Sequence, residues 1–323
     1  MKALVFDRFG GPEVLHLADV PDPVPSAGQA LVRTRAIGLN FADCYRRQGR
    51  YHLAGDPPWI AGYEAAGEVV LAPVDSGFEA GDRVAFADAP YANAELVAVD
   101  VERLIQLPDD IGFDTAAAVL LQGLTAQYLI RDSHRVRSGE KVLVHAAAGG
   151  VGQLLLQLAR AEGANVLALA STAEKCAVAL AVGADAAATY DQDWVALARE
   201  FGLRDGLSGM DVAYDSVGTT VHDSLRAVRT GGHVVFYGMA GGDPAPVDPR
   251  VLMDGSKSLT GGDLWNVLRS AADRRSRSAE LFARIREGAL SVSIDARYAL
   301  ADGAAAHAHL ESRRSLGKIL LIP

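Results

Sequence analysis

The sequence predicts an α/β protein in which a doubly wound parallel sheet is inserted into a mostly-β domain. Three observations predict this arrangement. Short β-prone runs broken by proline and glycine fill about the first 120 residues, and strands alternate with helices from residue 142 to about residue 237. A last strand at 318–322 does not continue the alternation. We therefore expect a first domain at 1–122, a second domain at 123–263, and a return of residues 264–323 to the first.

Composition and charge limit the class of protein. A chain of 323 residues that is 50% hydrophobic can bury a large core and usually forms two domains. A net charge of −9 argues against a nucleic-acid partner, and no apolar run approaches the ~20 residues of a membrane span. Only Cys44 and Cys176 are present, so a reducing cytoplasm is expected. The basic cluster of Arg274, Arg275 and Arg277 is interpreted as a solvated helix face.

The first 120 residues are expected to form a strongly bent, partly barrel-like β domain, because their strands are short and punctuated. The β-prone runs are Ala3–Phe6, Ala30–Ala36, Gly67–Val70, Arg83–Ala87 and Glu95–Val99. Two apolar, helix-prone segments follow at Thr115–Leu121 and Gly123–Arg131.

The second domain is expected to be a parallel sheet with crossover helices. Its strand candidates are Val142–His145, Val166–Ala170, Ala186–Thr189, Val212–Asp215 and Val234–Tyr237. Helical patterns lie between them at 150–162, 172–182, 191–201 and 219–229. After about residue 263 a long helical stretch precedes the final β-prone runs, Ser291–Tyr298 and Lys318–Ile322.

The first strand of this sheet leads into a turn of small residues and then into an amphipathic helix. A pyrophosphate can rest on the first N–H groups of a helix only where no side chain intervenes, and the helix dipole adds attraction. The turn therefore predicts a Rossmann dinucleotide site, with alanine at position 147 replacing the first glycine of the usual fingerprint. The predicted phosphate-binding residues are Ala148, Gly149, Gly150, Val151 and Gly152.

The end of the second strand favours NADPH over NADH. An NAD site usually places an acidic residue there for the ribose hydroxyls. Here the strand is followed by Ser171 and Thr172, with Lys175 one turn later, and this polar and cationic set suits a 2′-phosphate. Glu174 is interpreted as an acid that complements the helix dipole. Tyr190, after the third strand, could flank the adenosine or simply be a half-buried aromatic.

Several motifs, in order along the whole chain, resemble the quinone oxidoreductase (zeta-crystallin-like) branch of the medium-chain dehydrogenases. They are Gly38-Leu39-Asn40-Phe41-Ala42-Asp43, Gly62-Tyr63-Glu64-Ala65-Ala66-Gly67, Leu121-Gln122-Gly123-Leu124-Thr125-Ala126, the 144–152 turn, Tyr214-Asp215-Ser216-Val217-Gly218, and the stretch from Leu310 to Lys318. The resemblance implies a GroES-like catalytic domain built from both ends of the chain, a Rossmann domain between them, a homodimer, and a cleft for the nicotinamide. If a dimer forms, the strand near 234–240 is expected to be the pairing edge.

The resemblance also implies roles for individual residues. Asn40 and Thr125 would face the nicotinamide and the acceptor, and Tyr51 would line the acceptor side. The remaining implied cofactor residues are Ser216, Phe236, Tyr237 and Gly238 along the cofactor edge, and Lys175, Tyr190 and Arg313 at its phosphate end. Each has a plainer alternative: Asn40 as a turn residue, Tyr51 as a loop packing residue and Arg313 as a surface cation.

No metal is expected. The resembling segments place Asn40 and Tyr63 where zinc-dependent relatives have their cysteine and histidine ligands, and two cysteines cannot build a four-cysteine zinc lobe. His307 and His309 are two positions apart on an expected helix and point in different directions.

The leading functional hypothesis is a metal-free transfer of hydride from NADPH to a quinone, with Asn40 or Tyr51 orienting the acceptor. A close alternative is an enone or 2-alkenal double-bond reductase, and a lesser one is a non-catalytic, crystallin-like NADPH-binding protein. Family members often carry an Arg-Pro pair where this chain has Gly261-Gly262, so the acceptor is not inferred from relatives.

Overall fold

The computed structural model of the protein describes every residue from Met1 to Pro323. The chain divides into two compact units. Unit 1 comprises Met1–Leu121, Leu268–Arg284 and Val292–Pro323, and unit 2 comprises Gln122–Val267 and Ile285–Ser291. The domain limits of 1–122, 123–263 and 264–323 remain a sequence-based prediction; the structural units differ from them most at 285–291, which belongs to unit 2.

The chain forms 16 β-strands and 10 α-helices. The strands are β1 (Lys2–Phe6), β2 (His16–Asp19), β3 (Gln29–Leu39), β4 (Trp59–Ile60), β5 (Glu64–Leu71), β6 (Arg83–Ala87), β7 (Leu96–Asp100), β8 (Ile105–Gln106), β9 (Lys141–Val144), β10 (Asn165–Ala170), β11 (Ala186–Thr189), β12 (Met210–Asp215), β13 (Val228–Phe236), β14 (Ser258–Gly261), β15 (Ile294–Ala299) and β16 (Lys318–Ile322). The helices are α1 (Phe41–Arg47), α2 (Phe113–Tyr128), α3 (Gly150–Ala161), α4 (Ala173–Ala181), α5 (Trp194–Phe201), α6 (Val221–Ala227), α7 (Pro249–Asp254), α8 (Leu264–Val267), α9 (Ala271–Arg286) and α10 (Gly303–Glu311).

Unit 2 contains a six-stranded sheet in the order β11-β10-β9-β12-β13-β14, and every neighbouring pair is parallel. On one side of the sheet the strands continue from β9 to β10 and β11, and on the other side they continue from β12 to β13 and β14. This reversal is the topological switch point of a doubly wound sheet, where ligands bind beyond the carboxyl ends of the strands. The α/β fold class predicted from the sequence is confirmed.

The central strands of this sheet form because most of their residues are apolar and are buried on both faces. β10 is buried from Val166 to Ala170, and every residue of β12 is buried. The sixth strand, β14, was not predicted, since its four residues carry only one apolar side chain, that of Leu259, and end on the first glycine of a pair. Its presence makes β13 an interior strand, so the expectation that the sheet edge lies near 234–240 is wrong.

Unit 1 is dominated by a seven-stranded sheet ordered β15-β16-β3-β5-β6-β8, with β7 also paired to β3, and by a separate sheet ordered β2-β1-β4. β16 pairs antiparallel with β3. The last strand therefore joins the sheet of the N-terminal segment, as the break in alternation predicted.

Two local features differ from the sequence-based expectations. α2 is one continuous helix across Gly123, where two segments were expected. Arg274 is buried on α9 and paired with Asp88 at 3.1 Å, so the interpretation of its cluster as a solvated face is wrong for this residue. An arginine can be buried when a carboxylate and hydrogen bonds satisfy its charge. No helix of the protein has the length and apolar character that membrane crossing requires.

Candidate functional site

The turn between β9 and α3 is held open by its own backbone. Ala146 has a φ of +47°, in the left-handed region that side-chain-bearing residues seldom adopt. Its carbonyl oxygen accepts a hydrogen bond from the Gly149 N–H at 2.9 Å. The helical ladder starts with Gln153 N–H donating to the Gly149 carbonyl, so the three preceding N–H groups point out of the helix start. These are the donors that a diphosphate needs.

The glycines of this turn do not have equal roles. A Cβ on Gly152 would lie 2.4 Å from the Ala146 carbonyl oxygen, and one on Gly150 would lie 2.0 Å from the Gln122 side chain. A Cβ on Gly149 would meet only the Ala146 oxygen, at 3.2 Å. Gly152 and Gly150 therefore permit packing inside the protein, whereas Gly149 keeps open the space in front of the helix. Such a cradle, which a Cβ would fill, fits a diphosphate.

The end of β10 carries the polar set predicted for the 2′-phosphate. Ser171 is exposed, and Lys175 is half-buried in the first turn of α4. Thr172 caps this helix by accepting a hydrogen bond from the Lys175 backbone N–H at 3.3 Å. Hydrogen bonds from its own backbone N–H and from Thr172 lower the pKa of Glu174, as expected for an acid at a helix start. Lys175 therefore follows Glu174, whose carboxylate already accepts hydrogen bonds at the start of the helix.

The turns after β12 and β13 meet each other. A Cβ on Gly238 would lie 3.1 Å from the Ser216 carbonyl oxygen, and the Tyr237 N–H donates to the Asp215 carbonyl oxygen at 3.0 Å. Phe236 ends β13, and its carbonyl accepts from the Gly262 N–H at 3.1 Å. The structure therefore places the four predicted cofactor-edge residues, Ser216, Phe236, Tyr237 and Gly238, side by side in unit 2.

The two glycines of the Gly261-Gly262 pair, which departs from the family pattern, differ in the space around them. A Cβ on Gly262 would lie 2.8 Å from the Tyr128 hydroxyl oxygen, whereas one on Gly261 would meet nothing within 4 Å. A larger residue at position 262 would require movement of Tyr128.

In unit 1, Asn40 belongs to a buried charged network. The Lys318 ammonium donates to Asn40 Oδ1 at 2.7 Å and to Glu64 Oε2 at 2.6 Å. Asn40 Nδ2 in turn donates to Glu64 Oε2 at 2.8 Å and to the Gly38 carbonyl oxygen at 3.1 Å. Burial raises the pKa of Glu64, and the neighbouring Lys318 charge opposes that rise. Both amide hydrogens of Asn40 are therefore already donated within the protein.

Local sequence explains why Asn40 sits in this position. It precedes α1, and its backbone N–H donates to the carboxylate of Asp43 at 2.9 Å, which is half of a capping box. This capping pair is a local sequence signal for α1, a helix that the sequence analysis did not predict. Glu64 and Lys318 occur in the quoted motifs, but their contact with Asn40 was not anticipated.

The other predicted site residues lie in different places. Tyr51 is half-buried in unit 1, with its ring 4.0 Å from that of His52 and 5.0 Å from the Arg46 guanidinium. Thr125 is buried on α2 in unit 2. Arg313 is exposed in unit 1 and has a φ of +58°. Arg313 and the residues at the end of β10 belong to different units, so the predicted place of Arg313 at the phosphate end of the cofactor stays a prediction.

The chain contains no group of three or more histidine, cysteine, aspartate or glutamate side chains arranged to hold a metal ion. The position expected to replace a histidine ligand, Tyr63, accepts a hydrogen bond from the Ala54 N–H at 3.0 Å and lies under the Arg46 guanidinium at 3.6 Å. His307 is buried beside Cys44, whereas His309 contacts Tyr298, so the two histidines face different neighbours.

The fold and the glycine turn define a two-unit dehydrogenase of the alcohol dehydrogenase type, and comparison with known proteins agrees. The sequence matches the alcohol dehydrogenase GroES-like domain over residues 26–137 and the zinc-binding dehydrogenase family over residues 150–274. It is 40% identical to the quinone oxidoreductase of Pseudomonas aeruginosa, with 100% of this chain and 99% of the relative covered. The chain belongs to the quinone oxidoreductase family.

Two further relatives bear on chemistry. The 2-haloacrylate reductase of a Burkholderia species is 36% identical over 100% of this chain and 99% of its own. The crystal structure of Escherichia coli quinone oxidoreductase complexed with NADPH superposes with a TM-score of 0.95 at 35% identity, covering 100% of both chains.

Proposed function

We propose that the protein is an NADPH-dependent quinone reductase that transfers hydride from the nicotinamide to a quinone without a metal. The balanced reaction consumes one NADPH, one proton and one quinone and yields NADP⁺ and a hydroquinone. The observation that carries the proposal is the open glycine turn at the switch point between β9 and β12, in a chain that is 40% identical to a quinone oxidoreductase over its full length.

The residues of unit 2 fit NADPH. The N–H groups of Gly150, Val151 and Gly152 precede the first helical hydrogen bond of α3, and they would hold the diphosphate together with Ala148 in the preceding turn. Ser171 and Lys175 would hold the 2′-phosphate, and Tyr190 would stand beside them. The turns containing Ser216 and Gly238 would line the cofactor edge. When bound, NADPH supplies the hydride.

On the acceptor side we assign Tyr51 as the hydrogen-bond donor and Asn40 as the residue that holds Glu64 and Lys318 in place. Asn40 is saturated by Glu64, Gly38 and Lys318, so it has no amide hydrogen left for an acceptor. A quinone needs only a modest donor, because the incoming negative charge spreads onto its oxygen. Thr125 would face the nicotinamide.

A second candidate function is reduction of an activated double bond. The name of the 36% identical Burkholderia relative states a haloacrylate as its substrate, which is an α,β-unsaturated acid. Hydride delivery to a β-carbon needs the same cofactor and the same proposed hydrogen-bond donor, so this activity requires no further residue.

We further propose that the protein acts in the cytoplasm as a homodimer. β14 pairs with β13 on one side only, so its other side is a sheet edge that a second copy can pair with. Light scattering after size-exclusion chromatography tests this state, and a monomer at micromolar concentration refutes it.

The experiment that tests the function is a titration with NADPH and NADH followed by steady-state oxidation assays. Acceptors are 1,4-benzoquinone, 9,10-phenanthrenequinone and a 2-alkenal, and the ranking of kcat/KM separates the two candidate functions. Lys175→Glu is expected to weaken NADPH binding at least tenfold and leave NADH nearly unchanged. Arg226→Glu, the same charge change in the last turn of α6, is the matched control. Binding without turnover of any acceptor would favour the non-catalytic alternative.

A further inference from the structure

Three strand ends of unit 2 are joined by a chain of hydrogen-bonded polar side chains, of which the proposed function uses only Tyr190. His145 follows β9, Tyr190 follows β11, and Asp215 ends β12. Ser224 reaches them from α6. His145, Asp215 and Ser224 are completely buried. This set of side chains therefore lies at the switch point of the sheet, where β9 and β12 end.

In each hydrogen bond between these side chains, the donor lies on the Tyr190 side and the acceptor on the Asp215 side. The Ser224 hydroxyl donates to Asp215 Oδ2 at 2.7 Å, which uses its only proton. His145 Nε2, 3.0 Å from the same hydroxyl oxygen, must then be the donor of that pair. His145 Nδ1 is therefore an acceptor, and the Tyr190 hydroxyl donates to it at 3.3 Å. Burial lowers the pKa of His145, which agrees with this neutral tautomer.

The chain ends on the strained residue of the glycine turn. The Tyr190 hydroxyl oxygen accepts a hydrogen bond from the Ala146 N–H at 2.9 Å. Ala146 is the residue with a φ of +47°, and its carbonyl faces Gly149 and Gly152. The conformation of Ala146 thus sets the direction of the N–H groups that begin α3.

The other end of the chain organises the turn after β12. Asp215 Oδ1 accepts from the N–H groups of Val217 and Gly218 at 2.9 and 3.0 Å, and Oδ2 also accepts from Thr220 at 2.7 Å. Ser216, a predicted cofactor residue, lies inside this loop. One set of hydrogen bonds therefore spans both sides of the switch point.

We propose that His145, with Tyr190, Ser224 and Asp215, is a positioning residue of the dinucleotide site. The chain holds Ala146 in its left-handed conformation and so presents the start of α3 to the diphosphate of NADPH. None of these side chains needs to touch the cofactor for this role. The inference rests on the proposed function, since the ligand is the NADPH that unit 2 is proposed to bind.

The test is a rescue experiment on NADPH affinity. Tyr190→Phe removes one hydroxyl and keeps the ring, and it is expected to raise the Kd and KM for NADPH about fivefold, the effect of one ordinary hydrogen bond. Adding Ala146→Gly to this variant is expected to restore the Kd to within about twofold, because glycine adopts a positive φ without strain. Ala146→Gly alone is expected to change the Kd by less than about twofold.

Two further variants separate positioning from general stability. Tyr214→Phe also removes a buried hydroxyl from unit 2, which donates to the carbonyls of Leu129 and His134 at 3.3 Å. It is expected to lower thermal stability without changing the Kd for NADPH. Ser224→Ala is expected to raise the Kd and to be less than additive with Tyr190→Phe, because both break one chain.

The outcomes are distinct. An unchanged Kd in Tyr190→Phe, or failure of Ala146→Gly to restore it, would overturn the inference while leaving the proposed function in place. Absence of NADPH binding by the unaltered protein would overturn the proposed function and, with it, this inference.

Discussion

Removing the ammonium of Lys318 should be far more damaging than removing a surface lysine with the same geometry. Lys318 and Glu64 are 1% and 0% exposed, and their charged atoms are 2.6 Å apart. Lys2 and Asp19 are also 2.6 Å apart, but their side chains are 47% and 77% exposed. Burial is therefore the main difference between the two ion pairs.

The expected magnitudes follow from that difference. Lys318→Met leaves the Glu64 carboxylate buried without its cation, which costs about 3–5 kcal/mol of the free energy of unfolding. Lys2→Met breaks an exposed pair and is expected to cost about 0–1 kcal/mol. Neutralising the partner as well, in Lys318→Met with Glu64→Gln, should recover at least about 2 kcal/mol, since no unpaired charge remains.

Urea unfolding of these variants at pH 7.5 measures the costs and their coupling. In Lys318→Met the folded-state pKa of Glu64 lies above its unfolded value, because burial is no longer opposed by the ammonium. The penalty should therefore be largest above that folded pKa and shrink as the pH falls toward the unfolded value of about 4.3. A cost below about 1 kcal/mol at pH 7.5, or additive single variants, would refute the reasoning.

Three other predictions concern the turn, pH and catalysis. Gly152→Ala should lower the free energy of unfolding by about 1–3 kcal/mol, because its Cβ meets the Ala146 oxygen at 2.4 Å, whereas Gly149→Ala should weaken NADPH binding with little loss of stability. Burial lowers the pKa of His307 from 6.5 to about 3, so the unfolded chain takes up the extra proton; unfolding titrations should show the protein losing about 1.4 kcal/mol more per pH unit than His307→Gln as the pH falls from 6 to 4. Tyr51→Phe should reduce kcat with 1,4-benzoquinone at least tenfold without changing NADPH affinity, and unchanged turnover would contradict the donor role.

The fold was predictable because its signal is periodic and local. Strands β9 to β12 are short apolar runs separated by helical patterns, and each such run can be identified without knowledge of its neighbours. β14 was missed because only pairing with β13 makes its four residues a strand. α1 was missed although Asn40 and Asp43 form a capping pair three residues apart, a local signal that was available.

The side-chain networks were not predictable in the same way, because they join residues that are distant in sequence. Lys318 and Asn40 are 278 positions apart, and Arg274 and Asp88 are 186 apart. A cluster of arginines in a helical pattern is usually solvated, and only the tertiary position of Asp88 explains why Arg274 is buried. Motif spacing identifies which residues lie near the site, but it does not say where their polar atoms point.

Asn40 shows why that distinction matters for mechanism. Its motif suggested a residue that orients the acceptor, and either Asn40 or Tyr51 could have been the donor. Both amide hydrogens of Asn40 are donated, to Glu64 and to the Gly38 carbonyl, and its oxygen accepts from Lys318. If Asn40 bonded an acceptor molecule instead, one of these buried polar groups would lose its hydrogen-bond partner. Asn40→Ala should therefore act mainly through Glu64, by removing one of the hydrogen bonds that satisfy its charge. It follows that Asn40→Ala should lower stability and turnover together, whereas Tyr51→Phe should lower turnover alone.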